Sequence, residues 1–90
     1  MKLKYDFDMM DLDDGFVAVP VGEGAQHYHG VIRLNKSAAK IFSYLNEDVS
    51  ENYILEKLYE EYEMDPKEDI REYVHSFLLK LSENGVLDLK

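Results

Sequence analysis

The apolar residues of this 90-residue chain change their spacing once, close to Asn35. Ahead of that point they alternate with polar residues. Beyond it they recur every three or four positions. Alternation is the period of a half-buried strand, and the longer spacing is that of an amphipathic helix. A chain with a single switch of this kind folds as a block of strands followed by a block of helices. Each block has one apolar face, and each supplies the cover for the other. The expected fold class is α+β, a three-stranded antiparallel sheet followed by three helices, in one domain over residues 1–90.

The strands are expected at about 3–12, 16–21 and 28–34. Leu3, Tyr5, Phe7 and Met9 alternate with Lys4, Asp6 and Asp8. The phase slips at Met9-Met10, which a bulge near Met9 or a strand that begins late would explain. Asp13-Asp14-Gly15 follows, and Asp-Gly suits the positive backbone angles of a tight hairpin turn. Val17, Val19 and Val21 share one face of the second strand, and Pro20 marks an edge or a strand end. Residues 22–26 read as a flexible loop. In the third strand Ile32 and Leu34 share one face, and Val31 and Arg33 share the other.

The helices are expected at about 36–46, 51–63 and 66–84. Asn35 caps the first, where Ala38, Ile41, Phe42 and Leu45 form one apolar stripe. Ser50 caps the second, which buries Ile54, Leu55, Leu58 and Tyr62. Asp65, Pro66 and Glu68 have the pattern of a capped start for the third. There Ile70, Val74, Phe77 and Leu81 repeat along one face, widened by Tyr73 and Leu78. Asn84-Gly85 ends that helix. The last residues, 86–89, form a short strand or pack down on the core.

Charge narrows the partners. The chain has 19 acidic and 10 basic residues and a formal charge of −9. Nucleic-acid affinity comes mainly from basic contacts to phosphate, so no nucleic-acid partner is expected. An anionic membrane surface is disfavoured by the same field. With no cysteine, thiolate metal sites and cysteine nucleophiles are excluded. No apolar run is long enough to span a bilayer, and the first residues lack the apolar core of a signal peptide, so a cytoplasmic location is expected.

The chemistry-bearing residue types fall into no catalytic arrangement. His27 and His29 lie about 7 Å apart if residues 27–29 are extended. No third ligand follows at a metal-binding spacing, so they read as loop-end histidines. Asp11-Leu12-Asp13-Asp14-Gly15 lacks the glutamate of a calcium loop; Val21 stands there, so the segment is turn chemistry. Glu60, Glu61, Glu63, Asp65, Glu68 and Asp69 sit on helix surfaces and ends and read as a solvated face rather than paired catalytic carboxylates. No Ser–His–Asp order, phosphate-binding loop or dinucleotide motif is present. No cofactor and no enzymatic activity are expected.

The segment Gly30-Val31-Ile32-Arg33-Leu34-Asn35-Lys36-Ser37-Ala38-Ala39-Lys40-Ile41-Phe42, a hydrophobic strand entering Leu-Asn-x-Ser-Ala and then a helix, resembles the PqqD family. The likeness continues through Val49-Ser50, Leu58, Tyr62, Phe77-Leu78, Leu81 and Gly85-Val86-Leu87, over roughly residues 15–90. The resemblance implies a winged helix-turn-helix-like domain that binds the leader segment of a ribosomally made precursor peptide. It implies a modifying enzyme as second partner, often a radical S-adenosylmethionine enzyme. It further implies that the leader adds as an extra strand to the third strand, in a groove bordered by the third helix. The peptide-contacting residues are then Tyr28, His29, Gly30, Val31, Ile32, Arg33 and Leu34 on the strand, and Tyr73, Phe77, Lys80 and Leu81 on the helix.

An edge strand offers unpaired backbone groups that an extended peptide completes, which supports that mode independently. Residues 24–46 contain no acid but hold Arg33, Lys36 and Lys40. The docking edge is expected to accept an anionic stretch of its partner, against the plainer reading that these cations keep a helix soluble. The competing function is a winged-helix DNA-binding regulator. It is disfavoured because residues 50–65 carry six acids against one lysine. A purely structural subunit of the enzyme, with no peptide contact, is a third reading.

Overall fold

The computed structural model describes residues 1–28, 30–62 and 69–88. The chain runs β1 (Lys2–Leu3), β2 (Asp6–Leu12), β3 (Gly15–Val21), α1 (Gly24–His27), β4 (Ile32–Leu34), α2 (Lys36–Tyr44), α3 (Glu51–Glu61), α4 (Arg71–Glu83) and β5 (Leu87–Asp88). Strands β2, β3 and β4 form an antiparallel sheet in that order, and β1 pairs separately with β5. The α+β class, with a three-stranded antiparallel sheet followed by helices, is the observed one.

The first strand departs from the expected 3–12. Lys2–Leu3 leaves for a second sheet, and Leu3 pairs with Leu87. β2 then runs in one register, from Asp6 opposite Val21 to Leu12 opposite Gly15, so no bulge lies at Met9. Met9 and Met10 are both exposed, at 38% and 55%, because this end of the hairpin runs past the core. The phase slip records that loss of cover.

The hairpin turns at Asp13-Asp14, one residue earlier than expected, and Gly15 opens β3. Its φ is +152°, and a Cβ there would lie 2.8 Å from the Leu34 carbonyl oxygen. Glycine therefore permits β4 to approach this end of the hairpin. The segment expected as a flexible loop at 22–26 runs instead into α1 from Gly24 onward. Gly24 closes against Tyr5, where a Cβ would meet the Tyr5 Cβ at 2.7 Å.

Register and pleat place Phe16, Ala18, Ile32 and Leu34 on the covered face of the sheet. Ala18 is fully buried beneath the helices. Val17, Val19 and Val21 share the opposite face, as their spacing predicts, and are half-buried. α2 buries Ala38, Ala39, Ile41 and Phe42, with Leu45 at its C-cap. α3 buries Ile54, Leu55 and Leu58, and α4 buries Val74, Leu78 and Leu81. Each large aliphatic side chain so removed from water contributes about 1.5–3 kcal/mol.

Asn35 and Ser50 cap their helices as expected: Asn35 Oδ1 accepts from the Ala38 amide at 2.8 Å, and Ser50 Oγ from the Tyr53 amide at 3.0 Å. The expected cap at Asp65, Pro66 and Glu68 lies outside the described residues. α4 itself starts at Arg71, with Asp69 and Ile70 ahead of it. Asp69 accepts from the Arg71 amide at 3.0 Å.

Candidate peptide-binding edge

β4 is a short strand, and among the described residues only its β3 side is paired. Its opposite edge carries the backbone groups that strand addition uses. The strand is shorter than the expected 28–34. Tyr28 is the C-cap of α1 rather than a strand residue, and its ring packs edge-on against Phe7 at 6.2 Å. His29 lies outside the described residues. Gly30 has φ +127° and is exposed, and Val31 is 53% exposed.

Within β4 the alternation holds. Ile32 is half-buried and Leu34 is buried at 5%, both on the covered face. Arg33 points away from that face, 3.7 Å from Asp14 across the end of the hairpin. The Leu34 side chain therefore belongs to the core, and only its backbone lies at the edge.

Where β4 passes into α2, the sheet and α4 are joined. The Ser37 hydroxyl and the Tyr73 hydroxyl are 2.9 Å apart. Next to this pair lies a cavity of about 370 Å³, lined by Ser37, Leu58, Tyr62, Ile70 and Tyr73. Its wall is almost wholly apolar, with tyrosines at the mouth: Tyr73 is 46% exposed and Tyr62 45%. The volume is at the low end of the range of ligand pockets, about 300–1,000 Å³. Spacing marks Tyr62 as a buried residue of its helix. It caps α3 instead, and its ring is available at the cavity.

The four expected α4 residues separate by their turn of the helix. Tyr73 meets the α2 start, Phe77 is half-buried, Lys80 is exposed and Leu81 is buried at 2%. Leu81 is a core residue because it follows Val74 and Leu78 on the covered side. Leu58, Tyr62 and Ile70 carry no signal of a site in the sequence. Their apolar spacing identifies helix faces, but not the space left between two helix ends.

The other candidate groups are placed as follows. His27 ends α1 and stacks on Tyr5 at 5.9 Å, so it is not in a strand with His29. No group of three or more His, Cys, Asp or Glu residues that could hold a metal occurs among the described residues. Glu61 pairs with Lys40 at 2.7 Å, and that hydrogen bond holds its carboxyl below the usual range. Glu61 in turn raises Lys40, and burial pushes up the neighbouring Tyr44 phenol. Glu63, Asp65 and Glu68 lie outside the described residues. No helix among those described is long and apolar enough to cross a membrane.

The family model described as Coenzyme PQQ synthesis protein D (PqqD) matches residues 9–87, nearly the whole chain. Searches of curated proteins and of solved structures returned no match.

Proposed function

The chain belongs to the PqqD family, and from that membership we propose that it binds the leader segment of a ribosomally made precursor peptide and presents it to a modifying enzyme. The family, whose members are accessory non-catalytic partners in coenzyme synthesis, supports a peptide-binding accessory role. The finer reading is that the leader adds antiparallel or parallel to the free edge of β4. The single observation that carries it is that this free edge ends at the Ser37–Tyr73 contact, beside an apolar cavity.

Backbone pairing along β4 supplies affinity without regard to sequence. A leader side chain in the cavity by Tyr73 supplies selection. Val31, Arg33, Phe77 and Lys80 are the further contacts proposed, and the absence of acids over residues 24–46 favours an anionic leader. The enzyme, in this proposal a radical S-adenosylmethionine enzyme, gains from effective concentration. Holding the peptide beside the active site makes a modest affinity sufficient.

A DNA-binding winged helix is the competing reading. α3 carries Glu51, Glu56, Glu60 and Glu61 against Lys57 alone, a face that phosphate repels. The test is amide NMR of the labelled chain titrated with the leader encoded beside it. Shifts are expected at residues 30–34 and in the first turns of α4. Shifts that avoid both regions would sink the proposal.

A further inference from the structure

The sheet has a second free edge. β2 is seven residues long and, among the described residues, pairs only with β3. Residues 5–28, which contain the whole β2–β3 hairpin, carry six acids and no lysine or arginine. The two edges of one sheet are thus opposite in character: β2 is acidic, and β4 lies in the acid-free stretch.

Pleat divides β2 into two sets. Over residues 6–9, Asp6 and Asp8 face outward with Val21 and Val19 opposite them, and Phe7 and Met9 face the helices. Beyond them Met10 and Leu12 fall outward and Asp11 inward, so the pattern is carried by the first half of the strand. Under Phe7 and Met9 lies a cleft of about 410 Å³, floored by Phe16 and Phe42 and bounded by Lys36 and Tyr62. Phe7 meets Phe42 edge-on at 5.3 Å. Met9 and Tyr62 remain 38% and 45% exposed at the cleft.

We propose that the β2 edge is a second strand-addition site, taking an extended segment of a partner protein in which basic residues alternate with apolar ones. A strand added here sets each residue opposite one of β2, with Cβ atoms roughly 4.5–5.5 Å apart. Residues opposite Phe7 and Met9 enter the cleft and are apolar. Residues opposite Asp6 and Asp8 face outward and are basic. Of the charged groups lining the cleft, Lys40 and Glu61 pair with each other at 2.7 Å. That leaves Lys36 to disfavour a cation at the inward positions, which sets the order of the alternation. A second copy of this chain is the wrong occupant, because pairing two β2 edges brings together two segments that each carry six acids and no lysine or arginine. The site concerns the edge opposite β4 and stands or falls apart from leader binding.

The test titrates the labelled full chain with acetyl-Lys-Val-Arg-Ile-Lys-Leu-amide, followed by amide NMR. Shifts are expected over residues 6–12 and at the cleft. Two further peptides, N-methylated at alternate odd or alternate even positions, separate pairing from adsorption. One is expected to bind and the other not; equal binding by both overturns the proposal. Asp8→Lys is expected to weaken the unmethylated peptide roughly five- to tenfold at low salt. Unchanged affinity overturns the proposal, as does a chain that self-associates through residues 6–12 without peptide. Amide dispersion of Asp8→Lys verifies its fold, and Asp6→Lys repeats the test at the neighbouring position.

Discussion

Tyr73 in the first turn of α4 and Ser37 in the first turn of α2 hold their hydroxyls 2.9 Å apart, 36 residues distant in the chain. The contact joins the end of β4 to the start of the last long helix. It also places an aromatic ring on the wall of the apolar cavity. Tyr73→Phe keeps that ring and removes the hydrogen bond. Since Tyr73 is 46% exposed, water replaces the lost partner. Unfolding in urea should show a loss of no more than about 1 kcal/mol. Tyr73→Ala also removes the wall, so its leader affinity should fall well below that of Tyr73→Phe by calorimetric titration.

Gly15 allows β4 to reach the hairpin, because a Cβ there meets the Leu34 carbonyl oxygen at 2.8 Å. Gly15→Ala adds that clash to an unfavourable backbone angle, at a cost of about 2 kcal/mol. The expected signature is local. Amide exchange in residues 32–34 should accelerate more than exchange in α3.

Asn35 and Ser50 each satisfy one helix amide, at 2.8 Å and 3.0 Å. Replacing either by alanine should destabilise the chain by about 1 kcal/mol in chemical denaturation. Asn35→Ala should also raise hydrogen exchange at Ala38, whereas Ser50→Ala should raise it at Tyr53.

The Lys40–Glu61 pair predicts a pH dependence of known sign. Hydrogen bonding to Lys40 lowers Glu61 from its ordinary 4.5. Its contribution to stability is therefore full above that value and is lost as pH falls through the lowered one. Lys40 is raised above 10.5, so its contribution holds below that value and is lost as pH rises through the raised one. Carboxyl NMR titration should find Glu61 low, and Lys40→Met should return it toward 4.5. Both side chains are well exposed, at 39% and 40%, so salt should weaken the effect.

Much of the fold is legible in local physics. Ala38, Ile41, Phe42 and Leu45 recur at helical spacing, and all four are buried. Asn35 and Ser50 stand where caps must stand, and they cap. The order of strands and helices, and so the class, follows from such near-neighbour rules. The β4 edge is legible to the extent that Ile32, Arg33 and Leu34 alternate. The places of Tyr62 and Ile70 at the cavity are not, since a space between helix ends has no periodicity of its own.

The sequence by itself determined which residues share a face: Val17, Val19 and Val21 on one side of β3, Phe16 and Ala18 on the other. Only the tertiary structure decided which side is inside. Ala18 is fully buried while the more apolar valines are half-buried, because the helices lie on its side of the sheet. Likewise, Leu3 pairs with Leu87 and not with the hairpin, a choice made 84 positions away in the chain. Alternation is a property of neighbouring residues. The side that is covered, and the edge that is left open, depend on where distant segments come to rest.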